Sequence, residues 1–114
     1  DGCHSEVSAE NLSSYLKNVN HDLYGILGIQ SHKQPENFVK KFKGIFKKIV
    51  AVRIPDEPKS CDTSKLKKIL IKNNIKCSSA PNIKSAFQQL SSNKNKLIVC
   101  FGSLYLVGKV LSLN

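Results

Sequence analysis

The chain has 114 residues, enough for one domain with a hydrophobic core, and its apolar fraction of 40% is typical of a globular protein. No apolar run approaches the roughly 18–20 residues that a membrane-spanning helix needs. The net charge of +10 suggests nucleic acid as a possible partner. Whether the chain binds nucleic acid depends on where its charged residues lie.

The placement of the lysines argues against nucleic acid. They lie on the outer faces of two predicted helices, no aromatic residues alternate with them to stack bases, and Arg53 is the only arginine. We expect a solvated basic surface and keep a stand-alone nucleic-acid-binding module as an alternative. The lysines concerned are Lys40, Lys41, Lys43, Lys47 and Lys48 on one helix, and Lys65, Lys67, Lys68 and Lys72 on the other.

Hydrophobic periodicity predicts alternating helices and strands in the first half of the chain. The run Leu23–Ile29 is typical of a strand buried on both faces, and Gly25 and Gly28 within it indicate close approach of other atoms to the backbone. The predicted elements are a helix over residues 5–19, a strand over Leu23–Ile29, a helix from Pro35 to about Lys48, and a strand over Ile49–Ile54.

The second half continues the alternation after a loop that is bracketed by Pro55 and Pro58. Gly102 ends the last strand, and Ser103 then suits the N-cap of a final helix. The predicted elements are a helix from Asp62 to Asn73-Asn74, a short strand over Ile75–Ser78, a helix from Pro81 to Leu90, a strand over Leu97–Phe101, and a last helix with Leu106, Val107, Val110 and Leu111 on one face.

Strict alternation predicts a single α/β domain over residues 1–114, with a mostly parallel sheet and helices on both of its faces. The first helix has no strand before it, and the chain begins with Asp1 rather than Met. We therefore expect a fragment of a longer protein, in which another strand precedes Asp1.

Two stretches fall where a strand hands over to a helix, at the sheet edge where α/β proteins bind ligands. Asp1 and His4 stand on the first such turn, where they could reach a phosphate, its Mg²⁺ or an amine. Ser103 stands on the second, where a hydroxyl and helix N–H groups suit a carboxylate. The alternatives are that Asp1 is an ordinary turn residue, that His4 is a surface side chain, and that Ser103 only caps the predicted helix.

The remaining residues give weaker signals. Lys33 and Lys59 lie in two loops at the same edge and could contact an anion, or they could be ordinary surface lysines.

The P-loop, dinucleotide-binding, zinc-protease and nucleophile-elbow motifs are all absent. The four cysteines form no metal-binding pattern, so we expect buried thiols in a reducing compartment.

Two motifs resemble those of a known family. Residues 1–6, Asp-Gly-Cys-His-Ser-Glu, resemble the D-G-A-H-N-P turn that opens the C-terminal domain of Mur-type ligases. Residues 102–110 resemble the G-S-L-Y-L-x-G-E-V close of the folylpolyglutamate synthase/dihydrofolate synthase branch. Residues 28–34 keep only the glycine and lysine of that branch's G-x-x-x-D-K-D, and residues 54–60 resemble its proline-bracketed loop.

The resemblance implies a Rossmann-like, three-layer domain of the Mur ligase C-terminal type. The family uses ATP and Mg²⁺ to phosphorylate a folate or dihydropteroate carboxylate, which the amine of L-glutamate then attacks. A larger N-terminal domain carries the P-loop and the Mg²⁺ ligands, and this domain closes against it. The resemblance also implies a cytoplasmic enzyme, with Asp1 and His4 facing the nucleotide phosphates and the glutamate, and with Ser103 holding glutamate.

The sequence departs from the family pattern at four positions. Ser5 and Glu6 replace Asn-Pro of the turn, and Glu6 brings negative charge to the phosphate region. His32 and Gln34 replace the two Asp of D-K-D. A Mur-type ligase that acts on another acid and amino acid therefore stays open as an alternative, although the Gly-Ser-Leu-Tyr-Leu close speaks against it.

Overall fold

A computed structural model describes residues 6–91, 96–102 and 109–113, and for residues 6–8 and 109–113 it describes the backbone. Helices and strands alternate up to the fourth strand, as the sequence predicts. In chain order the elements are α1 (Glu6–Lys17), β1 (Asp22–Gly28), α2 (Pro35–Lys40), β2 (Lys48–Ala51), α3 (Thr63–Lys72), β3 (Cys77–Ser79), α4 (Ile83–Leu90), β4 (Lys96–Gly102) and β5 (Lys109–Leu113).

The strands form one sheet in the order β3-β2-β1-β4-β5. The first four strands are parallel to each other, and β5 pairs with β4 in the antiparallel direction. The pair β1–β4 is in register along its whole length, from Asp22 opposite Lys96 to Gly28 opposite Gly102. The predicted α/β class with a mostly parallel sheet is therefore confirmed.

Alternate side chains of the central strands build two cores. On one face, Leu27, Ile49 and Phe101 pack with apolar residues of α1, α2 and α3. On the other face, Ile26, Val50 and the middle of β4 pack against α4. Helices thus cover both faces, as expected for strands that are apolar along their length. Within the described ranges, no helix combines the length and the apolarity that crossing a membrane requires.

Four phenylalanines form the centre of the larger core. The ring of Phe101 in β4 lies 4.9 to 5.9 Å, between centroids, from the rings of Phe38, Phe42 and Phe46. A Cβ atom on Gly25 would lie 2.8 Å from the Phe101 ring. The predicted close approach at Gly25 is therefore confirmed: the ring cluster occupies the space that a side chain would need.

The helix predicted from Pro35 to about Lys48 is wrong in its length, because α2 ends at Lys40. The chain continues through tight turns in which Phe42 donates to the carbonyl of Val39 and Ile45 donates to that of Phe42. Gly44 then has a left-handed φ of 77°, which no helix interior accommodates. The periodicity over residues 42–46 is real, but turns rather than a helix bring those side chains to the core.

Helix α3 ends where the sequence predicts, at the Asn73-Asn74 pair. Asn74 has a φ of 60°, and its N–H donates to the carbonyl of Ile71. The N–H of Ile75 then donates to the carbonyl of Leu70. These two bonds are those of a Schellman motif, and asparagine tolerates the left-handed conformation that it requires.

The predicted last helix is wrong over residues 109–113, which form strand β5. Val110 and Leu111, placed on a helical face by periodicity, lie in this strand opposite Val99 and Ile98. Five residues are too few to distinguish the 3.6-residue repeat of a helix from the two-residue repeat of a strand. Pairing with β4 favours the strand, because it supplies main-chain hydrogen bonds at the edge of the sheet. Leu106 and Val107 lie outside the described residues.

Replacing Phe101 by alanine tests the ring cluster. We expect Phe101→Ala to lower the free energy of unfolding by about 3–5 kcal/mol, because a fully buried ring leaves a cavity among three others. Tyr15→Ala is the control: the side chain of Tyr15 is 65% exposed, and we expect a change within about 0.5 kcal/mol. Urea unfolding of both variants checks this, and equal losses would contradict it.

Candidate functional site

The order of the strands along the sheet reverses beside β1. The chain moves from β1 outwards to β2 and β3 on one side, and then returns to place β4 on the other side of β1. The carboxyl ends of β1 and β4 therefore lie on the two sides of a topological switch point. In open α/β sheets, ligands bind at this switch point.

Two glycines lie opposite each other at this switch point. Gly28 ends β1 opposite Gly102, which ends β4 with a left-handed φ of 87°. A Cβ on Gly102 would lie 2.2 Å from the carbonyl oxygen of Gly28. Gly102 therefore has no room for a side chain, and its φ is one that other residues rarely adopt. The close approach predicted at Gly28 stays a prediction.

The loops after β1 and β2 are hydrogen-bonded to each other. Gln30 and Ser60 form an antiparallel bridge. Ser31 donates from its backbone to the carbonyl of Lys59 at 2.8 Å, and Cys61 donates to that of Ile29 at 2.7 Å. We call residues 29–34 and 54–61 together the loop pair.

A side-chain contact reinforces the loop pair. The Gln30 amide donates to Oε1 of Glu57 at 2.9 Å, and the backbone N–H of Lys59 donates to Oε2 at 3.0 Å. These two bonds lower the pKa of the Glu57 carboxyl below its usual 4.5, with smaller contributions from the charges of Lys59 and His32. Sequence reasoning missed both residues; the signal was that Gln30 directly follows a buried strand at the carboxyl edge.

The loop pair brings together the segments that carry Lys33 and Lys59, as predicted from their common edge. Lys33 is half-buried in a short 3₁₀ turn, Ser31–Lys33, and Lys59 is exposed. The hydroxyl of Ser60 accepts from the N–H of Ile54 at 2.9 Å, which holds the second loop closed. Anion binding by these lysines stays a prediction.

The other predicted site residues, Asp1, His4 and Ser103, lie outside the described residues. Their positions in the chain place them next to described elements: His4 shortly before α1, and Ser103 directly after Gly102. Their assignment to the nucleotide and to glutamate stays a prediction.

Several lysines make contacts within the domain, among them Lys41, which follows α2 rather than lying on it, and Lys96 of β4. Lys41 pairs with Glu10 at 2.8 Å, and Lys72 pairs with Glu36 at 3.0 Å. Lys96 is 4% exposed, donates to the carbonyl of Leu90 at 2.6 Å, and lies over the Tyr24 ring. Part of the basic charge therefore stabilises the fold.

The described cysteines and histidines build no metal centre. Cys61 is a buried free thiol and Cys77 a half-buried one, and burial raises the pKa of both thiols. His21 and His32 are exposed. In the described part of the chain, no group of three or more His, Cys, Asp or Glu side chains is placed to hold a metal ion.

The sequence matches one family: the model of the dihydrofolate synthetase C-terminal domain covers residues 1–113. No curated protein matches. Among solved structures, folylpolyglutamate synthase of Thermotoga maritima is 24% identical with a TM-score of 0.74, over 90% of this chain and 24% of that one.

Two further structures share the fold. Folylpolyglutamate synthase of Mycobacterium tuberculosis complexed with ADP has a TM-score of 0.77 at 14% identity, over 91% of this chain and 27% of that one. E. coli FolC in complex with DHPP and ADP has a TM-score of 0.74 at 15% identity, over 89% of this chain and 24% of that one. This chain therefore spans about a quarter of the length of the structures that it matches.

Two glycine variants test the close contact between Gly102 and the carbonyl of Gly28. Gly102→Ala combines an unfavourable φ with a clash against a backbone carbonyl, and we expect it to cost about 3 kcal/mol of unfolding free energy or more. Gly44→Ala is the matched control: its φ is also positive, but no atom lies within 4 Å of a Cβ there. Gly44→Ala should cost about 1–2 kcal/mol. Denaturant titrations that give equal losses would refute the close approach.

Acid titration tests the contact between Gln30 and Glu57. Because the pKa of Glu57 is lowered in the folded state, the carboxylate stabilises the loop pair fully above pH 4.5, its usual value. That contribution is lost as the pH falls through the lowered pKa. NMR titration of the Glu57 side-chain carbon should give a midpoint below 4.5, shifted upwards in Gln30→Ala. A midpoint at or above the usual value would contradict the two hydrogen bonds.

Proposed function

Because the chain belongs to the dihydrofolate synthetase C-terminal domain family, we propose that it is part of an ATP-dependent ligase that joins L-glutamate to a folate or dihydropteroate carboxylate. The observation that carries this proposal is the family match over residues 1–113. The ADP in the M. tuberculosis enzyme and the DHPP and ADP in E. coli FolC support a nucleotide and a pterin-type acid as substrates.

The proposed reaction has two steps. An oxygen of the acid's carboxylate attacks the γ-phosphorus of ATP, and ADP leaves, so that an acyl phosphate forms. The amine of glutamate then attacks the acyl carbon, phosphate leaves as the amide forms, and the amine loses a proton. The protein contributes by holding the two substrates together and by placing cationic or N–H groups near the developing charge.

We propose that this domain contributes the carboxyl edge at the β1–β4 switch point. Ser103 follows Gly102 there, and its hydroxyl would bind a carboxylate of glutamate. Asp1 and His4 would face the nucleotide and the incoming amine, where a neutral imidazole can accept the amine's proton. Lys33 and Lys59 would add positive charge from the loop pair.

Mg²⁺ and the P-loop belong, in this proposal, to an N-terminal domain that closes against the present one. In the ranges that the structure describes, no group of three or more His, Cys, Asp or Glu side chains is placed to hold a metal ion, and both oxygens of Glu57 already accept hydrogen bonds. We assign no step to a metal held by this domain, and we expect the domain alone to be inactive.

We further propose a cytoplasmic location. The free thiols of Cys61 and Cys77 are consistent with a reducing compartment. Nucleic acid is not a proposed partner, since the contacts of Lys41, Lys72 and Lys96 give part of the basic charge a role in the fold.

Ser103→Ala in the full-length enzyme tests the proposed function. Loss of one hydrogen bond to a charged carboxylate should raise the KM for glutamate about tenfold, with the KM for ATP unchanged. Ser64→Ala, at the start of α3, removes a hydroxyl that bonds Asp62 and should leave both constants unchanged. ADP release measured against glutamate concentration checks this.

The same assay separates the alternatives. A wild-type enzyme that forms ADP with other acids and amino acids, but not with glutamate and a folate or dihydropteroate, would favour another Mur-type ligase. Unchanged glutamate dependence in Ser103→Ala would remove this serine from the site while leaving the ligase reaction in place.

A further inference from the structure

The loop pair is built as one unit beside the switch point. Its first loop continues directly from Gly28, the last residue of β1. Main-chain bonds from Ser31 to Lys59 and from Cys61 to Ile29 then join it to the second loop. A displacement of either loop would therefore move the other, or would break bonds that lie next to the switch point.

A side-chain contact between Gln30 and Glu57 also joins the two loops. One oxygen of Glu57 is held by Gln30 in the first loop, and the other is held by the backbone N–H of Lys59 in the second. The carboxylate thus joins the two loops and fixes the backbone of Lys59 in the same contact. With both oxygens engaged, Glu57 is placed to hold the loops rather than to bind a substrate.

Two residues of the loop pair adopt a left-handed backbone conformation. Gln34 has a φ of 53°, and Asp56 has a φ of 57°. Asp tolerates this conformation, whereas Gln adopts it rarely. Local bonds hold Gln34: its carbonyl accepts from the N–H of Phe38, and its side-chain oxygen accepts from the amide of Asn37. The first loop is therefore held at both ends, by its bonds to the second loop and by these bonds to α2.

We propose that Gln30 and Glu57 are positioning residues, which hold the loop pair so that Lys33 and Lys59 contact an anionic group of a substrate. This inference rests on the proposed function. The anionic group is a phosphate or a carboxylate, because an ammonium group is a point charge that binds either. The nucleotide would supply the first, and glutamate or the acid acceptor would supply the second.

The test exchanges the two side chains in the full-length enzyme. In Glu57→Gln, the side-chain amide of Gln30 faces a neutral amide instead of a charged carboxylate. In the double variant Gln30→Glu/Glu57→Gln, the amide at position 57 can donate to the new carboxylate, and its oxygen can still accept from Lys59 N–H. The contact is restored with its charge moved to the other loop.

We expect Glu57→Gln to raise the KM of one anionic substrate about fivefold, because a charge-assisted hydrogen bond gives way to a weaker, neutral contact, with kcat little changed. The double variant should return that KM to within about twofold of wild type. Asp56→Asn, which removes a neighbouring exposed carboxylate, should have no effect. A rise in the KM for ATP identifies the phosphate, and a rise for glutamate or the acid identifies a carboxylate.

Two results would overturn the proposal. Unchanged KM values for all three substrates in Glu57→Gln would show that the contact positions nothing. A raised KM that the double variant fails to restore would show that the charge of Glu57, and not the contact, acts on the substrate. A wild-type enzyme with no glutamate-dependent ADP release would instead refute the proposed function itself, so the two failures are distinct.

Discussion

The contact between the ends of β1 and β4 is the constraint on which the rest of the domain depends. These strands pair in parallel along their whole length, although α2, β2, α3, β3 and α4 lie between them in the chain. Gly102 passes so close to the carbonyl of Gly28 that no side chain fits. The pairing fixes the two cores below, because Phe101 carries the ring cluster on one face and Cys100 faces α4 on the other.

The same contact sets the geometry above the sheet. Gly28 and Gly102 end their strands side by side, so the loop pair and the segment after Gly102 both begin at the carboxyl edge of the sheet. Ligands of open α/β sheets bind at this edge. Asp1, His4 and Ser103 lie outside the described residues, and their place at this edge is part of the proposal.

Much of this arrangement was predictable from the sequence, because buried parallel strands are short apolar runs and the intervening helices show a clear period. Gly25 also indicated where other atoms approach the backbone closely, and Gly102 indicated where the last parallel strand ends. The errors have a common physical origin. Residues 42–46 and 109–113 carry apolar spacings that several backbone shapes satisfy, and tertiary contacts decide between them: the ring cluster and Gly44 for the first, pairing with β4 for the second.

The candidate site was only partly predictable for a different reason. The common edge of Lys33 and Lys59 follows from topology, whereas the contact between Gln30 and Glu57 joins residues 27 positions apart and depends on the exact path of two loops. No local pattern encodes such a pair. The assignment of Asp1, His4 and Ser103 rests on the family resemblance and stays a proposal.

Hydrogen exchange in the full-length protein, with and without ADP, tests most directly whether this domain contacts the nucleotide through the carboxyl edge at the switch point. We predict slower exchange on ADP binding in residues 28–34 and 54–61 and in the segment after Gly102, with no change at the opposite edge, in residues 18–21 and 73–76. Protection confined to the opposite edge, or none within this domain, would contradict that conclusion.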